Sequence, residues 1–419
     1  MFKAMRSPAF RRAAFPVLIA GIFLMYMYSC LMTDHINALQ PFYAATYGWD
    51  STKITDPVTY AALAVIVFTL VVGTLFIKFG VTRVLVPSTL LCGLATVGLS
   101  FAGAHYPIYF ICLFLMRLLT LVFQMGTMQL CTNWFLELRG RALGFATIGN
   151  PLCTATAITL LTLGTRSSLG MKTYTILGGI TILMGVVMAF LVKSSPEELG
   201  LNPDGAETAP VSYGKDEKDS TITLREVFSN PNAWLLTVAF GIINFTIVAI
   251  MAFFVPYMAS TGTSDAIFLP ALSAAALLGM PISYFLGWVD DRFGTVKACV
   301  LLCCTFFLAL GALYFMGANN AVLIAVAAFG MAGVTGGTPN LHPSMTAYVF
   351  GRKNYQAANR YIMTIQAAFQ AFATLFMSKV ADITGSFRPG YAIMTVMVLV
   401  ALLCLLIIGR TPDFDRGTK

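Results

Sequence analysis

Few ionisable side chains fall inside the long apolar segments of this chain, and these few are the first candidates for chemistry. Arg117 is the only basic residue deep within an apolar segment, and Asp34 and His35 lie within the first. An ionisable group at bilayer depth is costly unless it is paired or hydrated. A guanidinium there can bind a carboxylate through charge-assisted hydrogen bonds, whereas a carboxylate or an imidazole can carry a proton. We therefore predict that Arg117 binds an anionic ligand and that Asp34 and His35 couple a proton; an ion pair between Asp34 and Arg117 is the alternative for that carboxylate. That Arg117 only frames the helices by bonding backbone carbonyls is an equally open interpretation.

Uncharged polar residues recur at helical spacing in several apolar segments. Residues three or four apart share one helix face, and a polar face in a membrane helix favours a cavity or another helix. Such faces, together with Tyr28 in the first segment, supply the predicted substrate-binding residues, which are Arg117, Tyr28, Gln124, Asn244, His342, Gln366 and Gln370. The alternative is that these groups bond neighbouring helices and that His342 is a neutral imidazole packed against a kinked segment.

The composition indicates which elements must position these residues. Hydrophobic residues make up 58% of the chain and charged residues 11%, unlike a soluble domain. A run of about 20 apolar residues spans the hydrocarbon core as a helix, and we count twelve such runs. No alternating polar pattern typical of barrel strands occurs. The sequence therefore predicts a polytopic helical protein in a lipid bilayer.

The distribution of charge indicates orientation rather than a nucleic-acid partner. The net charge is +8, but the basic residues form no patch. With both termini in the cytoplasm, most of the 26 Lys and Arg fall on the cytoplasmic side, as the positive-inside rule requires. The first apolar run is longer than the core of a signal peptide. We predict a multi-pass protein of the inner (plasma) membrane with no nucleic-acid partner.

A loop occurs twice, 214 residues apart, and divides the chain. Gly73, Lys78, Phe79, Gly80 and Arg83 align with Gly287, Arg292, Phe293, Gly294 and Lys297. A repeat of this length in an apolar chain indicates a carrier made of two related halves. We predict an N-terminal six-helix bundle over 1–193, a cytoplasmic linker over 194–232, and a C-terminal six-helix bundle over 233–419.

The second copy of the loop resembles a known signature. Residues 287–297 read GWVDDRFGTVK, which is similar to the G-x-x-x-D-R-x-G-x-x-K/R loop of the major facilitator superfamily. The segment Arg139-Gly140-Arg141 is similar to the family's loop between spans four and five. The resemblance implies an all-α membrane protein with twelve transmembrane helices in two pseudo-symmetric six-helix bundles. It also implies that Asp291 faces a helix N-terminus and that basic residues latch the inner gate. The gating residues predicted in this way are Lys78, Arg83, Asp291, Arg292, Lys297 and Arg139. The first copy departs from the pattern, because Ile77 stands where the Asp would be.

The C-terminal half is most similar to the oxalate/formate antiporter and monocarboxylate transporter branch, on Phe350-Gly351, Asn354-Tyr355 and residues 382–387. Members of that branch hold carboxylates with basic residues in spans eight and eleven. Here span eight has none, and span eleven has only Arg360 and Lys379 near its ends.

The predicted function is therefore secondary active transport of a small organic anion, in particular a carboxylate. Alternating access would operate by proton symport or anion exchange in a functional monomer. Export of hydrophobic or drug-like compounds is the main alternative, and a ligand sensor of transporter shape is another. The nine cysteines lie in or beside apolar runs without metal-ligand spacing, and no Ser-His-Asp arrangement appears. We accordingly predict no enzymatic activity, no metal and no cofactor.

Overall fold

A computed structural model describes residues 7–207 and 222–411, apart from the side chains of a few helical residues. Within these ranges the chain forms fourteen α-helices and no strand. Eleven of the described helices are long and apolar enough to cross a membrane. One of these, Ala321–Thr384, has 64 residues and is interrupted at Gly351, where φ is 71°. It therefore contains two membrane-length segments, which gives the twelve that the sequence predicts.

The first compact unit comprises residues 1–135 and 152–213. Its helices are α1 (Pro8–Ser29), α2 (His35–Tyr47), α3 (Ser51–Phe79), α4 (Val81–Ser100), α5 (Tyr106–Trp134), most of α7 (Gly149–Arg166) and α8 (Lys172–Leu191). A π-helical turn, Cys30–Asp34, joins α1 to α2. Buried side chains tie these helices to backbone carbonyls of their neighbours. The Tyr109 hydroxyl donates to the Ile54 carbonyl at 2.9 Å, and the Trp134 indole donates to the Lys193 carbonyl at 3.0 Å.

The second compact unit comprises residues 136–151 and 214–419. Its helices are α6 (Arg139–Ala146), α9 (Leu224–Ser229), α10 (Pro231–Ser260), α11 (Asp265–Phe293), α12 (Thr295–Tyr314), α13 (Ala321–Thr384) and α14 (Arg388–Ile408). Buried apolar side chains of α10 to α14 form one continuous core. Residues 136–151 come from the first half of the sequence but pack with the second half, so the contacts do not follow chain order here.

Large apolar side chains also cover the outside of many helices. Phe190 is 77% exposed, Val67 67% and Val396 63%. Scattered exposed apolar residues are normal on a soluble protein, but whole helix faces of this kind are stable only against lipid. This surface agrees with a membrane protein.

The repeated loop has the same backbone in both copies. Gly80 lies between α3 and α4 with φ of 84°, and Gly294 lies between α11 and α12 with φ of 99°. Glycine adopts such positive φ values readily, whereas residues with a Cβ do so at a cost. The aligned glycines therefore allow the same tight helix-to-helix connection twice.

Candidate functional site

In the first unit, Arg117 lies on α5 and is half-buried. Its guanidinium donates to the Thr120 hydroxyl at 3.2 Å, and that hydroxyl donates to the Arg117 carbonyl at 2.6 Å. Tyr28, on α1, lies near both Arg117 and Gln124. The structure thus brings together three of the predicted substrate-binding residues. No carboxylate pairs with Arg117 among the side chains that the structure describes.

The two predicted proton-coupling residues lie where α1 meets α2. His35 is fully buried, and its Nδ1 is 3.0 Å from the Cys30 carbonyl. The His35 carbonyl accepts a hydrogen bond from Tyr174 at 3.2 Å. Its Nε2 has no hydrogen-bond partner among the described residues. The side chain of Asp34 lies outside the part of the chain that the structure describes.

In the second unit, His342 and Gln366 form a buried polar pair on the two arms of α13. His342 is 4% exposed and Gln366 2%, and the two side chains are within hydrogen-bonding reach of each other. The ring of Phe240, on α10, meets the imidazole edge-on with centroids 5.0 Å apart. Within the described ranges, the Nε2 atoms of both His342 and Gln366 lack a partner. Asn244 and Gln370, also predicted for the substrate, are half-buried in the same unit.

Asp291 caps the N-terminus of α6, and we call the contacts of Asp290 and Asp291 with α6 the acidic clamp. The Gly140 amide donates to Asp291 Oδ1 at 2.7 Å, and the Arg141 amide donates to Oδ2 at 3.0 Å. The Arg141 guanidinium adds an ion pair to Oδ2 at 2.8 Å. The orphan amides and the dipole of a helix N-terminus both favour a carboxylate.

Asp290 belongs to the same cluster and was not predicted from the sequence. It is fully buried, and the Thr295 hydroxyl donates to its Oδ1 at 2.6 Å. The Ser344 hydroxyl donates to its Oδ2 and accepts a hydrogen bond from Arg139 at 3.2 Å. The sequence offers one signal for Asp290: it is an acidic residue directly before the signature Asp, at a position where the signature requires no acid.

The acidic clamp depends on a close approach between α6 and α11. A Cβ atom on Gly140 would lie 2.4 Å from the Gly287 carbonyl oxygen, and one on Gly287 would lie 2.1 Å from the Gly140 carbonyl oxygen. Only glycine permits two backbones to come so close. Deeper along α6, the Thr147 and Ser283 hydroxyls are 2.8 Å apart. The position of α6 against α11 is therefore fixed along the length of α6.

The other predicted gating residues do not join the acidic clamp. Arg292, Lys297, Lys78 and Arg83 are exposed. Arg292 lies over the ring of Trp288 at 5.3 Å. The predicted gating set therefore separates into buried residues, Asp291 and Arg139, and exposed cations suited to lipid headgroups. Among the described residues, no group of three or more His, Cys, Asp or Glu could hold a metal ion.

Comparisons with known proteins place this architecture in a family. The model of the Major Facilitator Superfamily matches residues 22–358. The uncharacterized MFS-type transporter YhjX of Escherichia coli is 25% identical over 330 residues, which is 74% of this chain and 78% of YhjX. The Oxalate:formate antiporter of Oxalobacter formigenes is 26% identical over 241 residues, which is 55% of this chain and 53% of the antiporter.

Solved structures have the same fold. The transporter FucP in the outward conformation matches with a TM-score of 0.71 and 13% identity, over 96% of this chain and all of FucP. A variant of the fucose:proton symporter FucP of E. coli matches with a TM-score of 0.70 and 14% identity, over 96% of this chain and all of that one. The predicted fold, twelve transmembrane helices in two pseudo-symmetric bundles, is thereby confirmed. Because the family model matches most of its length, the chain belongs to the major facilitator superfamily of membrane transporters.

Proposed function

We propose that this transporter is a secondary active carrier that moves a small organic anion, in particular a carboxylate, by alternating access. The observation that carries the proposal is the environment of Arg117. Its half-buried guanidinium lies beside Tyr28, Gln124 and Thr120, and no described side chain supplies a counter-charge. A carboxylate ligand would supply that charge through charge-assisted hydrogen bonds. The name of one relative, the Oxalate:formate antiporter, supports the same class of ligand.

The polar pair of the second unit suits a ligand with hydrogen-bonding groups. Buried polar atoms without a partner cost about 1–3 kcal/mol each, and His342 and Gln366 both present such atoms. A ligand atom or an ordered water would satisfy them. In the proposed cycle these groups orient the ligand, while Asp34 and His35 carry a proton if the carrier is a symporter. If it is an exchanger, a second anion takes the place of the proton.

The acidic clamp supports a gate at one face of the membrane. Positive-inside topology would place the exposed Lys78, Arg83, Arg292 and Lys297 at the cytoplasmic face of an inner (plasma) membrane, with both termini on that side. In this orientation the clamp is a cytoplasmic latch, and breaking it is part of opening the carrier inwards. We propose that the functional unit is a monomer.

Uptake into proteoliposomes tests the role of Arg117. We expect purified protein to take up labelled oxalate, formate or a larger monocarboxylate, and we expect Arg117→Gln to lose that uptake. Loss of a charge-assisted bond costs about 3 kcal/mol, or roughly a hundredfold in affinity. The matched control is Arg166→Gln, which removes an exposed Arg of the same unit. Retained carboxylate uptake by Arg117→Gln would refute the assignment.

A thermal-shift screen separates this proposal from the alternative. Ligand binding to the folded state raises Tm, so organic acids should stabilise the wild type and not Arg117→Gln. Export of hydrophobic or drug-like compounds predicts the reverse, namely stabilisation by such compounds that Arg117→Gln leaves unchanged.

A further inference from the structure

Asp290 is a buried carboxylate to which the family signature gives no role. We propose that Asp290 is a positioning residue of the acidic clamp, and that it holds Arg139 in place as Asp291 holds Arg141. Both carboxylates of this latch would then lie in the second copy of the repeated loop, and both guanidiniums on α6. The inference rests on the proposed function only where it calls the clamp a latch.

The contacts of Asp290 join four helices. Asp290 itself lies on α11, Thr295 opens α12, Ser344 lies on α13, and Arg139 opens α6. Both Asp290 and Arg139 are completely buried, and the Ser344 hydroxyl lies between them, accepting from Arg139 and donating to Asp290. A hydroxyl in this position links the guanidinium of Arg139 to the carboxylate of Asp290.

The charges within the clamp balance. The start of α6 brings two guanidiniums, those of Arg139 and Arg141, into a cluster that excludes water from Asp290 and nearly so from Asp291. A buried charge is tolerated only when it is paired. Asp291 pairs with Arg141, and the Ser344 hydroxyl links Arg139 to the second carboxylate, Asp290. Among these four side chains, one carboxylate alone would leave a net positive charge.

The first copy of the loop lacks the three loop residues of this arrangement, Asp290, Asp291 and Thr295. The alignment that matches Gly73 with Gly287 places Phe76 at the position of Asp290, Ile77 at that of Asp291 and Val81 at that of Thr295. Acceptors and donor are thus replaced together by apolar residues, and Phe76 and Val81 are buried. That all three polar residues are absent together from the first copy indicates that Asp290, Asp291 and Thr295 act as one group.

Hydrogen exchange on the full-length protein in nanodiscs tests the role of Asp290. The amides of Gly140 and Arg141 report on the clamp because both donate to Asp291. We expect Asp290→Asn and Arg139→Gln each to speed exchange of these two amides at least about tenfold, with smaller effects elsewhere. The double variant should exchange more slowly than either single variant, because it leaves no unbalanced charge. Asp382→Asn, which changes an exposed carboxylate of the same unit, is the matched control.

Two further variants keep the test decisive if a charge variant does not fold. Ser344→Ala removes the bridging hydroxyl and leaves both charges, and Thr295→Val introduces the residue of the first copy. Each should speed exchange at residues 140–141 less than Asp290→Asn does. Wild-type exchange in Asp290→Asn, or strictly additive effects in the double variant, would overturn the inference.

These measurements require no substrate, so the two proposals can fail separately. A wild-type protein that transports no carboxylate counts against the proposed function and leaves the exchange result unaffected. A wild-type protein that transports a carboxylate, with unchanged exchange in Asp290→Asn, counts against the role of Asp290 alone.

Discussion

Replacing Gly287 with alanine should separate α6 from α11 and release the acidic clamp. The new Cβ atom would lie 2.1 Å from the carbonyl oxygen of Gly140 and 2.6 Å from its carbonyl carbon. Ordinary contact begins at 3.4 Å, and both obstructing atoms belong to the backbone, so neither can rotate away. The two helices must therefore move apart locally by more than about 1 Å. Such a backbone shift costs free energy in a well-packed core.

The cost follows from the contacts that such a movement breaks. The Gly140 amide is 2.7 Å from Asp291, and a further separation of about 1 Å exceeds the range of an N–H···O hydrogen bond. A hydrogen bond to a charged group contributes about 1.5–3 kcal/mol, and overpacking costs about 1–3 kcal/mol. Together these terms give about 2.5–6 kcal/mol, which raises the population of the released clamp by a factor of about 70 or more.

Hydrogen exchange at residues 139–147 measures this population, with Gly311→Ala as the control. Gly311 lies within α12 of the same unit, and a Cβ atom there meets nothing within 4 Å. Alanine favours the helix relative to glycine, so Gly311→Ala should exchange like the wild type. A folded Gly287→Ala protein that keeps wild-type protection at Gly140 and Arg141 would refute the reasoning, because the clamp would then tolerate a wider helix separation.

Two further predictions concern the clamp and the polar pair. Asp291→Asn keeps an acceptor for the Gly140 amide but turns an NH₂ group towards the donors of Arg141. Hydrogen exchange at residues 140–141 should therefore become markedly faster, whereas Asp382→Asn should leave it unchanged. Equal exchange rates in both variants would contradict the ion pair between Asp291 and Arg141. Gln366→Leu removes a buried amide that lies within hydrogen-bonding reach of His342, so stabilisation of the protein by an added carboxylate should fall, and Tm of the ligand-free protein should fall as well because the imidazole loses a partner. Unchanged stabilisation by the carboxylate would show that Gln366 does not bind it.

The sequence was sufficient for the membrane fold because the relevant signals are local. An apolar run of about 20 residues predicts a span wherever it occurs, and each loop copy contains the glycine that its turn requires. The family match and the TM-score confirm that prediction. The position of Asp291 at a helix N-terminus, which the resemblance implied, is also what the structure shows.

The partners of the buried polar residues could not be predicted in the same way. Helical periodicity shows which residues share one face of one helix, but it does not show which faces of two helices meet. The pairing of His342 with Gln366 therefore came only from the structure. Residues 136–151 give the same lesson, since their contacts with α11 depend on Gly140 and Gly287, which are distant in sequence and have no side chain to mark them.

The two copies of the loop show how a fold can keep its symmetry while its chemistry becomes one-sided. The backbone of the turn depends on Gly80 and Gly294, and both copies keep it. The acidic clamp depends on side chains, and the first copy keeps the turn without them, since Phe76 and Ile77 stand at the positions of Asp290 and Asp291. A buried acidic pair costs free energy unless cations balance it, and Arg139 and Arg141 of α6 bring two guanidiniums into the cluster of Asp290 and Asp291. Neutralising Asp290 and Asp291 should therefore release the acidic clamp. A carboxylate added at position 77 of the first copy should form no second clamp unless a guanidinium is supplied with it.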